Sequence, residues 1–404
     1  MHQNTFQRGK GEAPTKIVAF ATQGEQSGDA ERLRTLLSQL DARMYPFQRG
    51  EKGRQFIHLV KFLQQEKPDL VVMEGTGIAG GMALILTRIL WKTRYVVSSG
   101  DAVGPFVRMF HPVIGLFFSV YERILCRLAA GYIGWTPYLS GRALTFGCSR
   151  AMTAPGWAPV EKTAEELSEA RKTIRDQLHI SDDMIVFGIV GSLQWNPRVG
   201  YCYGVELVQA VTRVSRPDVV VLIVGDGDGK PQLEGMAGSE LGRRVILTGR
   251  VEREQVANYL AAMDVASLPQ SMDGVGNFRY TTKLSEYIAA SLPILTGQLP
   301  MTYDLPSAFW RIQGSAPWDE QYISNLVRFM NRVSTEEICR KRQFITDSAA
   351  AVFDKNLQVQ NVTAYIAAMF DDTEVYEEFE VTTSPSKVQP YGDRQNNTAI
   401  SPLT

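Results

Sequence analysis

The chain has 404 residues, 44% of them hydrophobic and 21% charged, and a formal net charge of −1. That is enough chain for two ordinary globular domains, and it leaves no global charge with which to hold nucleic acid. The four cysteines are scattered without a C-x-x-C and the four histidines lack metal-ligand spacing, which excludes a disulfide scaffold and a zinc site and suits a reduced, cytoplasmic protein.

Residues 1–15 are polar, lack the apolar core of a signal peptide, and read as a flexible N-terminus. No uninterrupted apolar run reaches the roughly 18 residues of a spanning helix. Ile17 to Ala21 then reads as a strand, a Gly24-bearing turn follows, and Ser27 to Leu37 reads as a helix, the opening unit of an α/β domain. Ala42 to Phe47 is a weaker strand, Phe56 to Gln65 a helix, and Asp69 to Met73 a clear strand. After it, Gly75-Thr76-Gly77-Ile78-Ala79-Gly80 is a literal G-x-G-x-x-G between strand and helix, with Asp101 after the next strand as a ribose ligand. An NAD-dependent oxidoreductase is therefore one reading. Against it, the motif follows the third strand rather than the first, Glu74 puts a negative charge where a pyrophosphate would approach, and a tight turn explains the glycines.

Pro105 to Gly147 is the most apolar stretch, with Val113, Phe117, Val120, Ile124 and Leu128 at helical spacing. Glu122, Arg123 and Arg127 interrupt it. It reads as a helix packed on the first sheet; the alternative is a peripheral contact with a membrane, arginines toward anionic headgroups. His111 stands in a turn just before Pro112. The charged run Glu161 to His179 marks a domain boundary. Strands at Ile185 to Val190, Val219 to Val224, Val245 to Leu247 and Val265 to Leu268 then alternate with helices, which makes a second doubly wound domain. The expected division is 16–165 and 182–345, a crossing helix at 346–371, and a disordered Ser/Thr/Pro-rich tail at 372–404.

Open α/β sheets bind ligands at the carboxyl ends of their strands. In the second domain those ends carry Gly191 and Ser192, Gly225 to Gly229, Gly249 and Val251, and the loop Gly274-Val275-Gly276-Asn277. The loop leads into a helix capped at Thr281 or Thr282, on which Lys283 and Glu286 share a face. Free backbone N–H groups, a cation and a carboxylate one turn deeper match a diphosphate attached to a ribose. In the first domain Gly24, Asp101 and His111 are the candidates that face this edge. Asp226-Gly227-Asp228 is a D-x-D, the form in which carboxylates hold a metal under a diphosphate; after an apolar strand it reads as a turn, and no metal site is assigned.

The ordered series Ile189-Val190-Gly191-Ser192-Leu193, Val224-Gly225-Asp226-Gly227, Leu247-Thr248-Gly249-Arg250-Val251, Met263-Asp264-Val265 and Lys283-Leu284-Ser285-Glu286-Tyr287, closing with Leu292-Pro293-Ile294, resembles the donor domain of the family-4 glycosyltransferases, over about 185–298. The resemblance implies a GT-B fold, two facing Rossmann-like domains, with the C-terminal helix returning to the first. It implies a retaining, metal-independent, hexosyltransferase-type enzyme without a cofactor. Such an enzyme moves a sugar from a nucleotide-sugar donor to a carbohydrate or lipid-linked acceptor, in polysaccharide or glycolipid assembly. Glu286 then matches the glutamate that binds the ribose, and Lys283 one of the cations on the diphosphate, with Arg198 or Arg279 as the second. Many members carry another glutamate eight positions before the one matching Glu286; here Phe278 stands there, so a non-catalytic nucleotide-sugar-binding relative is an alternative. The expected location is cytoplasmic, with peripheral attachment to the inner face of the plasma membrane as the variant that the apolar stretch adds.

Overall fold

The computed structural model describes residues 15–160, 162–348 and 350–370. The expected flexible N-terminus, apart from Thr15, and the expected disordered tail lie outside the described residues. Among those residues there are two six-stranded sheets, both wholly parallel.

The first sheet contains β1 (Ile17–Ala21), β2 (Ala42–Met44), β3 (Leu70–Glu74), β4 (Tyr95–Ser99), β5 (Gly131–Gly134) and β6 (Ala151–Thr153), in the order β2-β1-β3-β4-β5-β6. Its helices are α1 (Gly28–Leu36), α2 (Lys52–Glu66), α3 (Ile78–Trp91), α4 (Val103–Phe110), α5 (Pro112–Leu128) and α6 (Pro137–Thr145). A linking helix, α7 (Ala164–Gln177), opens with a capping box between Thr163 and Glu166, which ends the preceding loop sharply. Parallel strands covered on both faces need continuous apolar runs, and β1 and β3 supply them. Phe20, Val71, Met73 and Val97 pack toward α2, α3 and α5, while Ala19, Leu70, Val72 and Val96 pack toward α1.

The second sheet contains β7 (Ile185–Val190), β8 (Val219–Val224), β9 (Val245–Gly249), β10 (Val265–Ser267), β11 (Ile294–Thr296) and β12 (Phe309–Arg311), in the order β12-β11-β10-β7-β8-β9. Its helices are α8 (Val205–Val211), α9 (Lys230–Ala237), α10 (Val256–Ala261), α11 (Thr282–Ala289), α12 (Met301–Asp304), α13 (Glu320–Arg332) and α14 (Thr335–Ser348). Phe187, Val221 and Ile223 face α8 and α13, and Val186, Leu222 and Val224 face α10 and α11. The chain direction across this sheet reverses between β7 and β10, so the crevice at their carboxyl ends is the switch point at which such sheets bind ligands. The last helix, α15 (Lys355–Ala367), crosses back: Val362 and Ile366 join the core against α1 of the first domain, as expected.

Strands β5, β6 and β12 differ from the sequence expectation, which has no strand there. Strand β5 is masked by its own glycines. A side chain at Gly131 would lie 2.4 Å from the Tyr365 hydroxyl, and one at Gly134 2.4 Å from Ser140 Oγ, so the strand gives up side chains where α15 and α6 press on it.

Hydrogen bonds and an ion pair join the domains around the loop that enters α11. Thr136 Oγ1 donates to the Phe278 carbonyl (2.9 Å), Tyr138 and Tyr280 both donate to Asp304 Oδ2, and Arg279 reaches Asp101.

Candidate functional site

The donor side is built by β7 and α11. Gly191 follows β7; a side chain there would sit 2.8 Å from Lys283 Cε and 3.1 Å from the Tyr203 ring, so its absence is what lets Lys283 fold into the switch-point crevice. The Lys283 ammonium lies 4.3 Å from the centre of the Tyr203 ring, held by its face. Among the described residues it has no salt bridge. Burial pulls its pKa down, and Glu286 only partly offsets this. Thr281 stands at the N-cap of α11, and its hydroxyl is buried without a hydrogen-bond partner among the described residues. A desolvated cation and an unpartnered hydroxyl at a helix N-terminus are the complement of an anion.

Lys283 lines a cleft of about 620 Å³ between the domains, together with Arg279, Tyr203 and Thr282. Glu286, one turn on, faces an adjoining cavity of about 560 Å³ with Arg253 and Trp157. Thr282, Asp29 and Trp135 line both, so the two spaces meet around the start of α11. Burial raises the Glu286 pKa against the opposing charges of Lys283 and Arg253. One elongated ligand can thus meet a cation in one space and a carboxylate in the next.

The first domain supplies carboxylates. Glu74 ends β3, buried, and is gripped by Arg32 from α1 (2.7 Å) and by the Trp135 indole N–H (3.0 Å); Arg32 also lies 4.4 Å from the Trp135 ring centre. Removing one partner of such a buried pair costs about 3–5 kcal/mol, which fixes the wall rigidly. Asp29, in the first turn of α1, has its pKa pushed up to about 6 by burial, then by Glu74 and Asp101, with Arg32 opposing. Burial and like charge here outweigh the helix N-terminus, which favours the ionised form.

The structure brings Lys283, Glu286, Arg279, Asp101 and Gly191 to this region and redistributes the other expected residues. The loop Gly274-Val275-Gly276-Asn277 is not an anion cradle. Asp273 Oδ1 already accepts from the N–H groups of Val275 (2.8 Å) and Gly276 (2.9 Å), and Asn277 lines a separate groove with Tyr138 and Asp304. Gly274 packs toward Pro105 of the first domain. Arg198 sits in an exposed turn closed by the Asn196–Tyr201 bridge and lines neither cavity, whereas Arg279 lines the cleft with Lys283, as do Arg49 and Lys52. His111 is exposed at the α4–α5 turn and lines neither cavity. Ser192 is exposed beside Gly191. Gly249 bridges to Gly225 at the β8–β9 end, and Val251 lines another surface groove, against α7. Gly24, at φ 106°, turns the chain between β1 and α1 at the rim.

Asp226 Oδ1 accepts from the Gly227 N–H and Asp228 Oδ1 from the Trp195 N–H, so both carboxylates hold turns. The G-x-G-x-x-G glycines make close packing: side chains would meet Thr22 at Gly75 and Gly77, and Phe20 at Gly80. Asp29, Trp135, Tyr203 and Arg253 escape the sequence reading, because none carries a motif and each is recruited by topology.

The architecture is a GT-B fold, with two Rossmann-like domains facing each other across the cleft. Residues 185–305 match the family model described as Glycosyl transferases group 1. No curated protein matches the chain significantly. Among solved structures, HepE of Anabaena in complex with UDP-glucose is 15% identical with a TM-score of 0.63, covering 87% of this chain and 100% of that one. Sucrose-phosphate synthase from Thermosynechococcus elongatus is 13% identical with a TM-score of 0.62, covering 88% and 99%. WaaG, a glycosyltransferase involved in lipopolysaccharide biosynthesis, is 15% identical with a TM-score of 0.56, covering 86% and 100%.

Proposed function

We propose that this protein is a glycosyltransferase that takes a sugar from a nucleoside-diphosphate donor, UDP-glucose being the donor suggested by the ligand in the HepE structure. The observation that carries the reading is Lys283: a desolvated cation without a salt bridge among the described residues, seated between Gly191 and Tyr203 at the switch point, one turn from Glu286. The diphosphate meets Lys283, Arg279 and the first N–H groups of α11; the ribose hydroxyls meet Glu286. When the anomeric carbon–phosphate bond breaks, negative charge grows on the leaving diphosphate, and fixed cations and helix N–H groups there stabilise the transition state more than the ground state. This chemistry asks for no metal and no cofactor, and retention of anomeric configuration follows the family resemblance. The acceptor, a carbohydrate or lipid-linked hydroxyl in polysaccharide or glycolipid assembly, enters from the first domain beside Asp29.

A second reading rests on Phe278. Its carbonyl and ring are anchored to the first domain, where a family glutamate would meet the sugar, which favours a nucleotide-sugar-binding relative without turnover. A thermal-shift panel of UDP, UDP-glucose and NAD, followed by a donor-hydrolysis assay, separates these readings. Binding of only the native state raises Tm. UDP and UDP-glucose shifts with sugar release support the transferase; shifts without release support the binding protein; a shift with NAD alone overturns both.

A further inference from the structure

Helices α4 and α5 form an antiparallel hairpin held tightly by glycines. A side chain at Gly115 would lie 2.4 Å from Arg108 Cα, and one at Gly104 2.5 Å from Ser119 Oγ. The inner face of α5 buries Tyr121, Leu125 and Cys126 on the first sheet. The outer face has no cover among the described residues. Met109, Phe110, Val113, Leu116, Phe117 and Val120 are each more than half exposed, Val113 at 83%. Exposed apolar side chains are ordinary singly; a contiguous set on one hairpin marks an interaction surface.

The position of the hairpin is as informative as its composition. Gly81, near the start of α3, packs on Tyr121 in the middle of α5. The nine residues of α5 before Tyr121 extend about 13 Å at helical rise, past the start of α3 and toward the carboxyl edge of the sheet. Phe106, Val107 and Phe118 of the same hairpin line the interdomain cleft. The apolar surface therefore runs from the hairpin tip to the mouth of the cleft.

Charge selects the occupant. Arg108, Arg123 and Arg127 are exposed on the hairpin. Its acidic residue, Glu122, is buried and held by both arms of Arg142 (3.0 and 2.9 Å) and by the Gly104 N–H. The exposed charges on the hairpin are thus all positive. A second copy of this face would be repelled, whereas an anionic lipid surface satisfies both the apolar and the cationic groups. No helix among the described residues is long and apolar enough to cross a membrane, so the contact lies in the interface plane.

We propose that the α4–α5 hairpin docks this protein on an anionic bilayer surface, with the cleft mouth at the headgroup level. The proposal goes beyond the donor chemistry and does not depend on it. The test is flotation of the full chain with vesicles of phosphatidylcholine alone and of phosphatidylcholine with phosphatidylglycerol, at low and high salt. The wild type is expected to float with the anionic vesicles at low salt and to be released by at least tenfold at high salt or without the anionic lipid. Val113→Asp with Phe117→Asp, both at exposed positions, is expected to abolish flotation while Tm and UDP binding stay unchanged. Arg108→Glu with Arg123→Glu is expected to weaken it at low salt. Equal flotation of the Asp variant and the wild type overturns the proposal. So does absence of wild-type flotation at low salt; a wild-type dimer that the Asp variant loses would then assign the face to a protein interface. Failure of UDP binding with flotation intact touches only the donor reading.

Discussion

Arg279 donates two hydrogen bonds, at 3.0 and 2.6 Å, to a single carboxylate oxygen of Asp101, which lies 178 positions earlier in the chain. Two residues nominated separately from the sequence are thus partners, and both line the cleft with Lys283. Both are well exposed, 39% and 50%, so the pair contributes about 0–1 kcal/mol and is readily exchanged for a phosphate. Asp101→Ala is expected to change stability by less than about 1 kcal/mol and to leave UDP affinity equal or higher, because Arg279 is released. Calorimetric titration decides this; a tenfold loss of affinity would place Asp101 itself on the ligand.

Asp29 predicts a pH dependence. With its pKa near 6, it can take the proton of an acceptor hydroxyl only when ionised, so kcat/KM should rise through about pH 6. The stability effect has the opposite sign. The folded pKa lies above the ordinary value near 3.9, so the folded state holds the proton more tightly, and this group's contribution is lost as pH rises from about 4 through about 6. Asp29→Asn should remove the inflection from both profiles. The same rate inflection in the variant would assign it to another group.

Phe278 serves the interface between the domains. Its ring packs on the core of the first domain and lies 5.4 Å from the Arg142 guanidinium. Phe278→Ala should destabilise by about 1–3 kcal/mol in urea unfolding, the loss of part of an aromatic side chain's burial and a weak cation–π contact. Donor affinity should fall only a few-fold, through the loop that enters α11. Unchanged stability with a tenfold loss of affinity would instead put the ring against the donor.

Metal removal gives a further check. With Asp226 and Asp228 each holding a backbone N–H in a turn, UDP should bind equally with and without excess chelator. A loss of affinity that magnesium or manganese restores would show that these carboxylates leave their turns for a metal.

The apolar runs of β1, β3, β7 and β8 and their glycine-marked ends made the two-domain fold legible, because strands buried on both faces can be written in few ways. The helix bearing Lys283 and Glu286 was legible for a similar reason: its spacing is local. What escaped depends on distant parts of the chain. A glycine-bearing loop before a helix reads alike whether its N–H groups wait for a ligand or are held by Asp273. Arg198 and Arg279 could not be separated without knowing which turn faces the cleft. The raised pKa of Asp29 exists only because folding buries it and brings Glu74 and Asp101 beside it.

The central claim is that Lys283 and Glu286 hold the two ends of a nucleoside-diphosphate donor, and calorimetric titration of UDP into wild type, Lys283→Ala and Glu286→Gln tests it most directly. Lys283→Ala removes a charge-assisted contact to phosphate, about 1.5–3 kcal/mol, and should weaken UDP about 10- to 150-fold with Tm little changed. Glu286→Gln keeps the shape of the side chain but loses the charge that the ribose hydroxyls meet, and should weaken UDP by a smaller factor. Wild-type affinity in both variants would contradict the account and move the ligand away from α11.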